Sequence, residues 1–221
     1  MIMKVGCING KNKKNLILLI IVIKISFIEI KTRGNVMIEL VTEQLIIRNF
    51  TSGDWYDLSE IGLNYEESEF AKYDHGPWPD SPDVYKGIVE SWSKNDDFLA
   101  VVMKENHKLI GFISLPKKEK GVFDFGFVFH PDYHGGGYAT EGCKVVLKHV
   151  FEVLQADQIN TGTAKDNTPS CNLLKRLGFA PIKEDIISLR KDEKGNPIEF
   201  VGINFILSRE EWIKSQISKT G

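Results

Sequence analysis

The spacing of apolar positions predicts four helices in the chain. Residues 83–93 place an apolar side chain at every fourth position, as on one face of a helix. Residues 138–155 repeat apolar side chains at helical spacing over a longer stretch, which predicts an amphipathic helix. Residues 168–179 have a proline in the first turn and a glycine near the end, the usual helix boundaries. A shorter helix is predicted at residues 55–63, after potential capping residues.

Strands are predicted between these helices, where β-branched and aromatic residues concentrate. Short turns join the three central candidates, so we expect an antiparallel meander there. The two last candidates flank DEKGNP and form a terminal hairpin. The fold class is therefore α+β, with a mixed, mostly antiparallel central sheet and flanking helices. The predicted strands are residues 43–50, 97–105, 108–116, 123–131, 158–164, 186–191 and 198–207.

Composition and charge are those of an ordinary soluble protein. Of the 221 residues, 42% are hydrophobic and 26% charged, which is typical of globular domains. The net charge of −2 gives no general attraction to nucleic acid, so none is expected as a partner. Cys7, Cys143 and Cys171 form no CxxC pair, which indicates neither a metal site nor a disulfide framework. These features favour a reducing, cytoplasmic setting.

Residues 1–36 differ in character from the rest of the chain. Basic residues precede an apolar run at 16–23, but no small-residue cleavage site follows, and eight residues are too few to cross a bilayer. We interpret this segment as an N-terminal extension produced by a misplaced start codon. A membrane anchor or signal and an added structural strand are the alternatives. The domain proper is then residues 37–221, with Met37 as its start.

The segment HPDYHGGGYATEG, residues 130–142, places Gly135, Gly136 and Gly137 directly before the long predicted helix. A helix start has unpaired N–H groups and partial positive charge, so it binds phosphate readily. Glycines allow the close approach that such binding requires, although a flexible connection would have the same composition. The P-loop pattern and GxGxxG are both absent here, which excludes two common phosphate-binding motifs.

The spacing at residues 134–139, HGGGYA, resembles the acetyl-CoA loop of the GNAT family of N-acetyltransferases, Gln/Arg-x-x-Gly-x-Gly/Ala. The longer string FGFVFHPDYHGGGYATEG is similar to the branch that includes ribosomal-protein N-terminal acetyltransferases (RimJ/RimL-like). DNTPSCNLLKRLGF resembles the family's Asn-x-x-Ser…LGF segment. KLIGFISL and TEQLIIRNF resemble its central and opening strands, so the likeness covers about residues 37–212. His134 departs from the pattern, since Gln or Arg is usual there.

This resemblance implies the GNAT fold, in which two strands splay apart and acetyl-CoA lies in the gap as the acyl donor. It implies that an amine attacks the thioester directly, so neither cysteine in the domain is expected to be a nucleophile. Backbone groups of the strand before the loop are expected to pair with the pantetheine arm. The residues that the resemblance assigns to the cofactor are Phe127, Val128, Phe129, His134, Gly135, Gly136, Gly137, Tyr138, Ala139, Thr140, Asn167 and Ser170.

Two catalytic groups are carried over with the resemblance. An N–H of the strand, assigned to Val128, is expected to stabilise the charge on the thioester carbonyl. Asp124 is the candidate base, because family members often have an acidic residue there; a solvated surface role is the alternative. The family's usual acid, a tyrosine, is replaced by Leu174. Water is then expected to protonate the thiolate, with Tyr133 and Tyr138 as alternatives.

The acceptor site is expected in the loop YDHGPWP, residues 73–79. Tyr73, His75 and Trp78 offer aromatic surface and polar tips, as small acceptor pockets require; packing over the core is the alternative role. The acceptor is predicted to be a primary amine of a small molecule or of a protein N-terminus. A non-catalytic acetyl-CoA sensor and a membrane-tethered enzyme remain as alternatives. The oligomeric state is open, and a homodimer is one option.

Overall fold

The computed structural model describes residues 30–32 and 35–217, with side chains from residue 38 onward. Its strands are, in chain order, β1 (Ile30–Thr32), β2 (Asn35–Met37), β3 (Glu39–Val41), β4 (Leu45–Asn49), β5 (Phe98–Met103), β6 (Leu109–Ser114), β7 (Lys117–Glu119), β8 (Val122–Asp124), β9 (Gly126–Phe129), β10 (Gln158–Ala164), β11 (Ala180–Lys191) and β12 (Pro197–Ser208). The helices are α1 (Trp55–Glu66), α2 (Pro82–Trp92), α3 (Tyr138–Glu152), α4 (Thr168–Leu177) and α5 (Arg209–Ile217). No helix in this described part is long and apolar enough to cross a membrane.

Strands β1 and β2 pair with each other in a two-stranded sheet of their own. They overlap the end of the predicted N-terminal extension. The rest of that extension lies outside the described residues. Its interpretation as a misplaced start, and the domain boundary at residue 37, stay predictions.

The first large sheet has the strand order β3-β4-β5-β6-β9, and every pair in it is antiparallel. Its central strands β5 and β6 are buried almost throughout, because helices cover both faces. On one face Leu58 and Val89, of α1 and α2, pack with Val102. On the other face Val146 of α3 packs with Val101. These strands therefore lack the simple alternation of a half-exposed sheet.

The second large sheet has the order β11-β12-β10-β8-β7. Its β8–β10 pair is parallel, and the other pairs are antiparallel. Helix α4 packs against this half through Leu173, Leu174 and Leu177. The mixed, mostly antiparallel arrangement with flanking helices confirms the predicted fold class.

One stretch of chain joins the two large sheets and opens a cleft between them. Strand β8 pairs with β10, and the Phe125 N–H still donates to the Asn160 carbonyl at 2.8 Å. One residue later, Gly126 pairs with Ser114 of β6 instead. Strand β9 thus ends the first sheet, and no described strand pairs with its outer edge. This separation is the predicted splayed strand pair. The sequence pattern indicates one strand at residues 123–131, and the structure divides this stretch into β8 and β9.

Several other elements differ from the sequence pattern, among them β3, which has no predicted counterpart, and β11, which begins at Ala180 and not at residue 186. The predicted turn KKEKG contains the short strand β7. Helix α3 ends at Glu152, although the apolar pattern continues, because the Val153 and Leu154 N–H groups share the His149 carbonyl and Gln155 has a φ of 55°. Helix α5 has no predicted counterpart. Trp212 holds it to the core by stacking on Phe151, with 5.1 Å between the ring centroids.

Candidate functional site

Two adjoining cavities fill the cleft. The glycine-loop cavity has a volume of about 700 Å³ and lies against β9, the residue 131–137 loop and the start of α3. The aromatic cavity has a volume of about 400 Å³ and lies between β6, β9, β10 and the loop after α1. The two share the side chains at their junction, so one ligand can extend from one into the other. The shared residues are Tyr65, Phe127, Val128, Asn167 and Ser170.

The glycine-loop cavity contains the predicted phosphate-binding turn. Gly135 and Gly137 have φ angles of 81° and 83°, a conformation that costs little only for glycine. The first hydrogen bond of α3 runs from Glu141 N–H to the Gly137 carbonyl at 3.0 Å, and no side chain caps this end. The N–H groups of Tyr138 and Ala139 therefore have no acceptor among the described residues. Such unpaired N–H groups at a helix start are suited to binding an anion, and the phosphate-binding role of the turn stays a prediction.

His134 holds the loop to the strand. Its Nε2 lies 2.9 Å from the carbonyl oxygen of Phe129. A carbonyl oxygen only accepts, so Nε2 is assigned the proton. The side chain that replaces the family's Gln or Arg thus contacts the backbone of β9, and this contact fixes where the glycine turn begins.

Arg176 supplies positive charge that the sequence analysis missed. Its Nη1 donates to the Thr140 hydroxyl at 3.0 Å. Among the described residues that line the glycine-loop cavity, it is the one arginine or lysine. Arg176 directly precedes the LGF segment in the sequence. This position beside a family motif is the feature that could have identified it as a site residue.

The backbone of β9 corrects the assignment of the catalytic N–H. The His130 N–H donates to the Ile110 carbonyl of β6 at 2.9 Å, and the register continues with Val128 opposite Phe112. N–H groups of alternate strand residues point the same way, so the Val128 N–H faces β6 and not the cleft. The N–H groups of Phe127 and Phe129 face the cleft. Phe127 therefore takes the position expected for Val128.

Asn167 and Ser170 lie at the junction, as predicted for cofactor-binding residues. The Asn167 side-chain oxygen accepts from the Ser170 N–H at 3.2 Å and caps α4. The amide nitrogen of Asn167 remains available as a donor. Of the predicted cofactor residues, all except Gly136 line the glycine-loop cavity.

Two of the three predicted acceptor residues line the aromatic cavity. Tyr73 and Trp78 line it, whereas His75 is exposed and does not. The remaining aromatic walls were missed by the sequence analysis, because they come from segments far apart in the chain. They are Tyr65, Trp92, Phe98 and Phe112.

An ion pair anchors the loop that covers the aromatic cavity. Arg190 of β11 donates to both oxygens of Glu66 at the end of α1, at 2.6 and 3.0 Å. The same guanidinium donates to the carbonyls of Asp74 and Gly76, and Glu66 accepts from the Trp78 N–H at 3.1 Å. The hydrogen bonds of Arg190 hold the pKa of Glu66 below its ordinary value. Glu66 and Arg190, which lie far apart in the sequence, thus fix the shape of the loop.

Asp124, the predicted base, lines neither cavity. It lies on β8, below the point where the strands separate, and its carboxylate pairs with Lys118 Nζ at 2.9 Å. The structure therefore does not bring Asp124 to the junction, because the strand is still paired with β10 at that residue. This geometry favours the alternative surface role.

Tyr65 is the ionisable side chain that the structure does bring to the junction. Burial and the nearby Asp74 carboxylate raise the pKa of its hydroxyl to about 12. The hydroxyl therefore keeps its proton at neutral pH and can act as a donor. Leu174, at the family's tyrosine position, lines the aromatic cavity nearby.

The two cysteines of the domain are packing residues, in line with the sequence analysis. Cys143 is completely buried in the core between α3 and the sheet, and burial raises the pKa of its thiol. The Cys171 thiol is also buried and lies 3.6 Å from the Ala164 carbonyl, to which it donates. Burial raises the pKa of this thiol too, so neither thiolate is accessible as a nucleophile.

Comparison with known proteins identifies the family of the chain. Residues 44–180 match the acetyltransferase (GNAT) domain family. The chain belongs to this family. The GNAT chain is 30% identical over 138 residues to an uncharacterized N-acetyltransferase, YokL, from an SPbeta prophage of Bacillus subtilis, which covers 61% of this chain and 75% of YokL. The predicted family resemblance is confirmed, and the protein is an acyl-CoA-dependent N-acetyltransferase.

Solved GNAT structures share the fold. The ribosomal-protein-S5-alanine acetyltransferase of Vibrio fischeri superimposes with a TM-score of 0.66 at 18% identity, covering 79% of this chain and 98% of that one. The spermidine N-acetyltransferase of Vibrio cholerae, solved with CoA and spermine, gives a TM-score of 0.65 at 16% identity, covering 78% and 99%. At these identities the likeness establishes the fold, and the acceptor must be argued from this chain's own cleft.

Proposed function

We propose that the protein transfers the acetyl group of acetyl-CoA to a primary amine of a small molecule or a protein N-terminus. One observation carries this proposal: the unpaired N–H groups at the start of α3 and the unpaired edge of β9 open into the same cavity. Phosphate binding and strand-like pairing are thereby available to a single extended ligand. Membership of an acetyltransferase family supports the choice of acetyl-CoA as that ligand.

The donor would lie along the glycine-loop cavity. Its diphosphate would accept from the N–H groups of residues 135–140, with the charge of Arg176 close by. Its pantetheine amides would pair with the Phe127 carbonyl and the Phe129 N–H, which face the cleft, and with the Asn167 amide. The thioester would then reach the junction, where the aromatic cavity begins.

The reaction at the junction needs no covalent enzyme intermediate. The neutral amine nitrogen attacks the thioester carbonyl carbon, the C–N bond forms, and the C–S bond breaks. The ammonium form first loses one proton to water. As the amide forms, its nitrogen releases a second proton to water, and the CoA thiolate gains one from a donor that water then reprotonates. We assign the stabilisation of the carbonyl oxygen to the Phe127 N–H and the proton for the thiolate to the Tyr65 hydroxyl. Most of the acceleration comes from holding the two reactants together.

Two measurements test this function. Calorimetry of the full chain with acetyl-CoA should show binding at one site. A thiol assay should then show release of CoA that depends on an added primary amine. Binding without amine-dependent thiol release would contradict the proposal and identify a sensor, and the absence of binding would contradict both functions.

A further inference from the structure

The lining of the aromatic cavity carries information on the acceptor that the family assignment does not give. Seven aromatic residues from six separate segments line it: Tyr65, Tyr73, Trp78, Trp92, Phe98, Phe112 and Phe127. Trp92 and Phe98 are stacked with 4.1 Å between centroids and an interplanar angle of 4°. Phe112 lies 5.1 Å from Trp92 and 5.9 Å from Trp78. One side of the cavity is therefore an array of flat apolar faces, and Ser114, Thr161 and Thr163 add polar groups to the lining.

This wall is rigid because it is packed from behind. Trp78, Trp92 and Phe98 are half-buried against a core cluster that includes Val89 and Ala100. The Trp78 ring also stacks on Tyr85 at 6.4 Å. The side chains are therefore fixed before a ligand arrives, which lowers the entropic cost of binding a flat molecule.

The charge in the cavity is limited to one carboxylate. Of the described residues that line it, Asp74 alone carries a formal charge at neutral pH. The neighbouring Glu66 and Arg190 neutralise each other through their two-point ion pair. Asp74 is therefore the one carboxylate of the lining, and one ammonium group can be held there by its charge and by the faces of the aromatic rings.

We propose that the acceptor is a primary monoamine with a flat, apolar body, of the arylalkylamine class, whose ammonium group is drawn in by Asp74. This inference rests on the proposed acetyltransferase function and specifies its substrate. A polyamine would bring further ammonium groups into a cavity with one carboxylate, and burying an unpaired charge is costly. A volume of about 400 Å³ suits a small molecule.

The test compares four amines with the full chain and saturating acetyl-CoA: 2-phenylethylamine, butylamine, spermidine and an alanine-initiated peptide. We expect kcat/KM for 2-phenylethylamine to exceed the other three values by at least about tenfold, a difference of about 1.4 kcal/mol in transition-state binding. The control for binding alone is calorimetry of 2-phenylethylamine with the protein–CoA complex. A preference for spermidine or the peptide would overturn the inference and leave the acetyltransferase function intact.

A pair of matched variants tests the role of Asp74. Asp74→Asn should raise the KM for 2-phenylethylamine about tenfold or more and leave the KM for acetyl-CoA unchanged. Asp80→Asn, in the same loop but exposed and outside the cavity, should leave both values unchanged. An unaltered amine KM in Asp74→Asn would overturn the assignment. Binding of 2-phenylethylamine without turnover of any amine would instead contradict the acetyltransferase function and support the aromatic site.

Discussion

In the proposed mechanism one side chain at the junction, Tyr65, performs the proton transfer that the family's usual tyrosine would perform. Leu174 offers no proton, while Tyr65 reaches the same region from α1, a helix more than a hundred residues earlier in the chain. A hydroxyl group can thus come from a different helix when side chains of both helices line the same cavity. The sequence motif alone could not show this, because the motif covers α3 and α4 and not α1.

Tyr65→Phe removes the hydroxyl and keeps the ring. We expect kcat to fall by about 10²-fold, the lower end of general acid–base contributions, because water can replace the donor in part. The KM for acetyl-CoA should not change. Since the pKa of Tyr65 is raised to about 12, the wild-type kcat should show no loss from Tyr65 ionisation between pH 7 and 9.

The matched control is Tyr56→Phe, on the same helix but outside both cavities. Steady-state kinetics of both variants, with thermal unfolding to confirm folding, decide the question. An unchanged kcat in Tyr65→Phe would show that water protonates the thiolate.

The glycine turn and α3 act together as one element. The turn needs positive φ at Gly135 and Gly137, and the helix start needs free N–H groups. Consecutive residues of the sequence supply both features. For this reason the sequence predicts most of the residues that line the glycine-loop cavity. It does not predict the place of Arg176 in that cavity, nor the direction of the N–H groups of β9, which depends on the pairing register with β6.

Gly137→Ala forces an alanine to a φ of 83°, which costs about 1–2 kcal/mol. No atom lies within 4 Å of the added methyl group, so the cost is conformational. Relaxation of the turn should move the N–H groups and weaken acetyl-CoA binding by at least about tenfold, measured by calorimetry.

Gly195→Ala is the control for backbone strain alone. Gly195 has the same φ of 83° and equally open space, but lies in the β11–β12 turn, outside both cavities. It should lose similar stability in denaturant unfolding and bind acetyl-CoA normally. Equal affinity in both variants would contradict the role of the glycine turn.

Across the whole molecule, the Glu66–Arg190 pair connects the two halves of the fold. Glu66 ends a helix on the first sheet, and Arg190 lies on the edge strand of the second. The pair fixes the loop that holds Trp78 beside the aromatic cavity. Neither residue belongs to a recognisable motif, and they are 124 positions apart.

Glu66→Gln should lower the free energy of unfolding by about 1–2 kcal/mol at pH 7, since it weakens a two-point charged hydrogen bond that is partly screened by solvent. The pKa of Glu66 is lowered in the fold from 4.5. Its contribution is therefore complete above pH 4.5 and is lost as the pH falls through the lowered value. Urea unfolding of both proteins should show a difference that narrows below pH 4.5.

Glu90→Gln breaks an exposed pair with Lys94 and should change stability much less, because solvent screens that pair. A stability difference for Glu66→Gln that does not vary with pH would contradict the ionic role of Glu66. A rise in the amine KM of Glu66→Gln is also expected, since the loop carries Tyr73 and Trp78.

The fold class, the order of most elements and the phosphate-binding turn follow from local patterns. Periodicity, β-branched content and three adjacent glycines act over a few residues, and those residues stay neighbours in the folded chain. The acceptor cavity has a different origin. Tyr65, Asp74, Trp92 and Phe112 meet because two sheets separate after Phe125 and because Arg190 fixes a distant loop. Such contacts depend on packing between segments far apart in the chain. The spacing of residues along one segment therefore does not predict them.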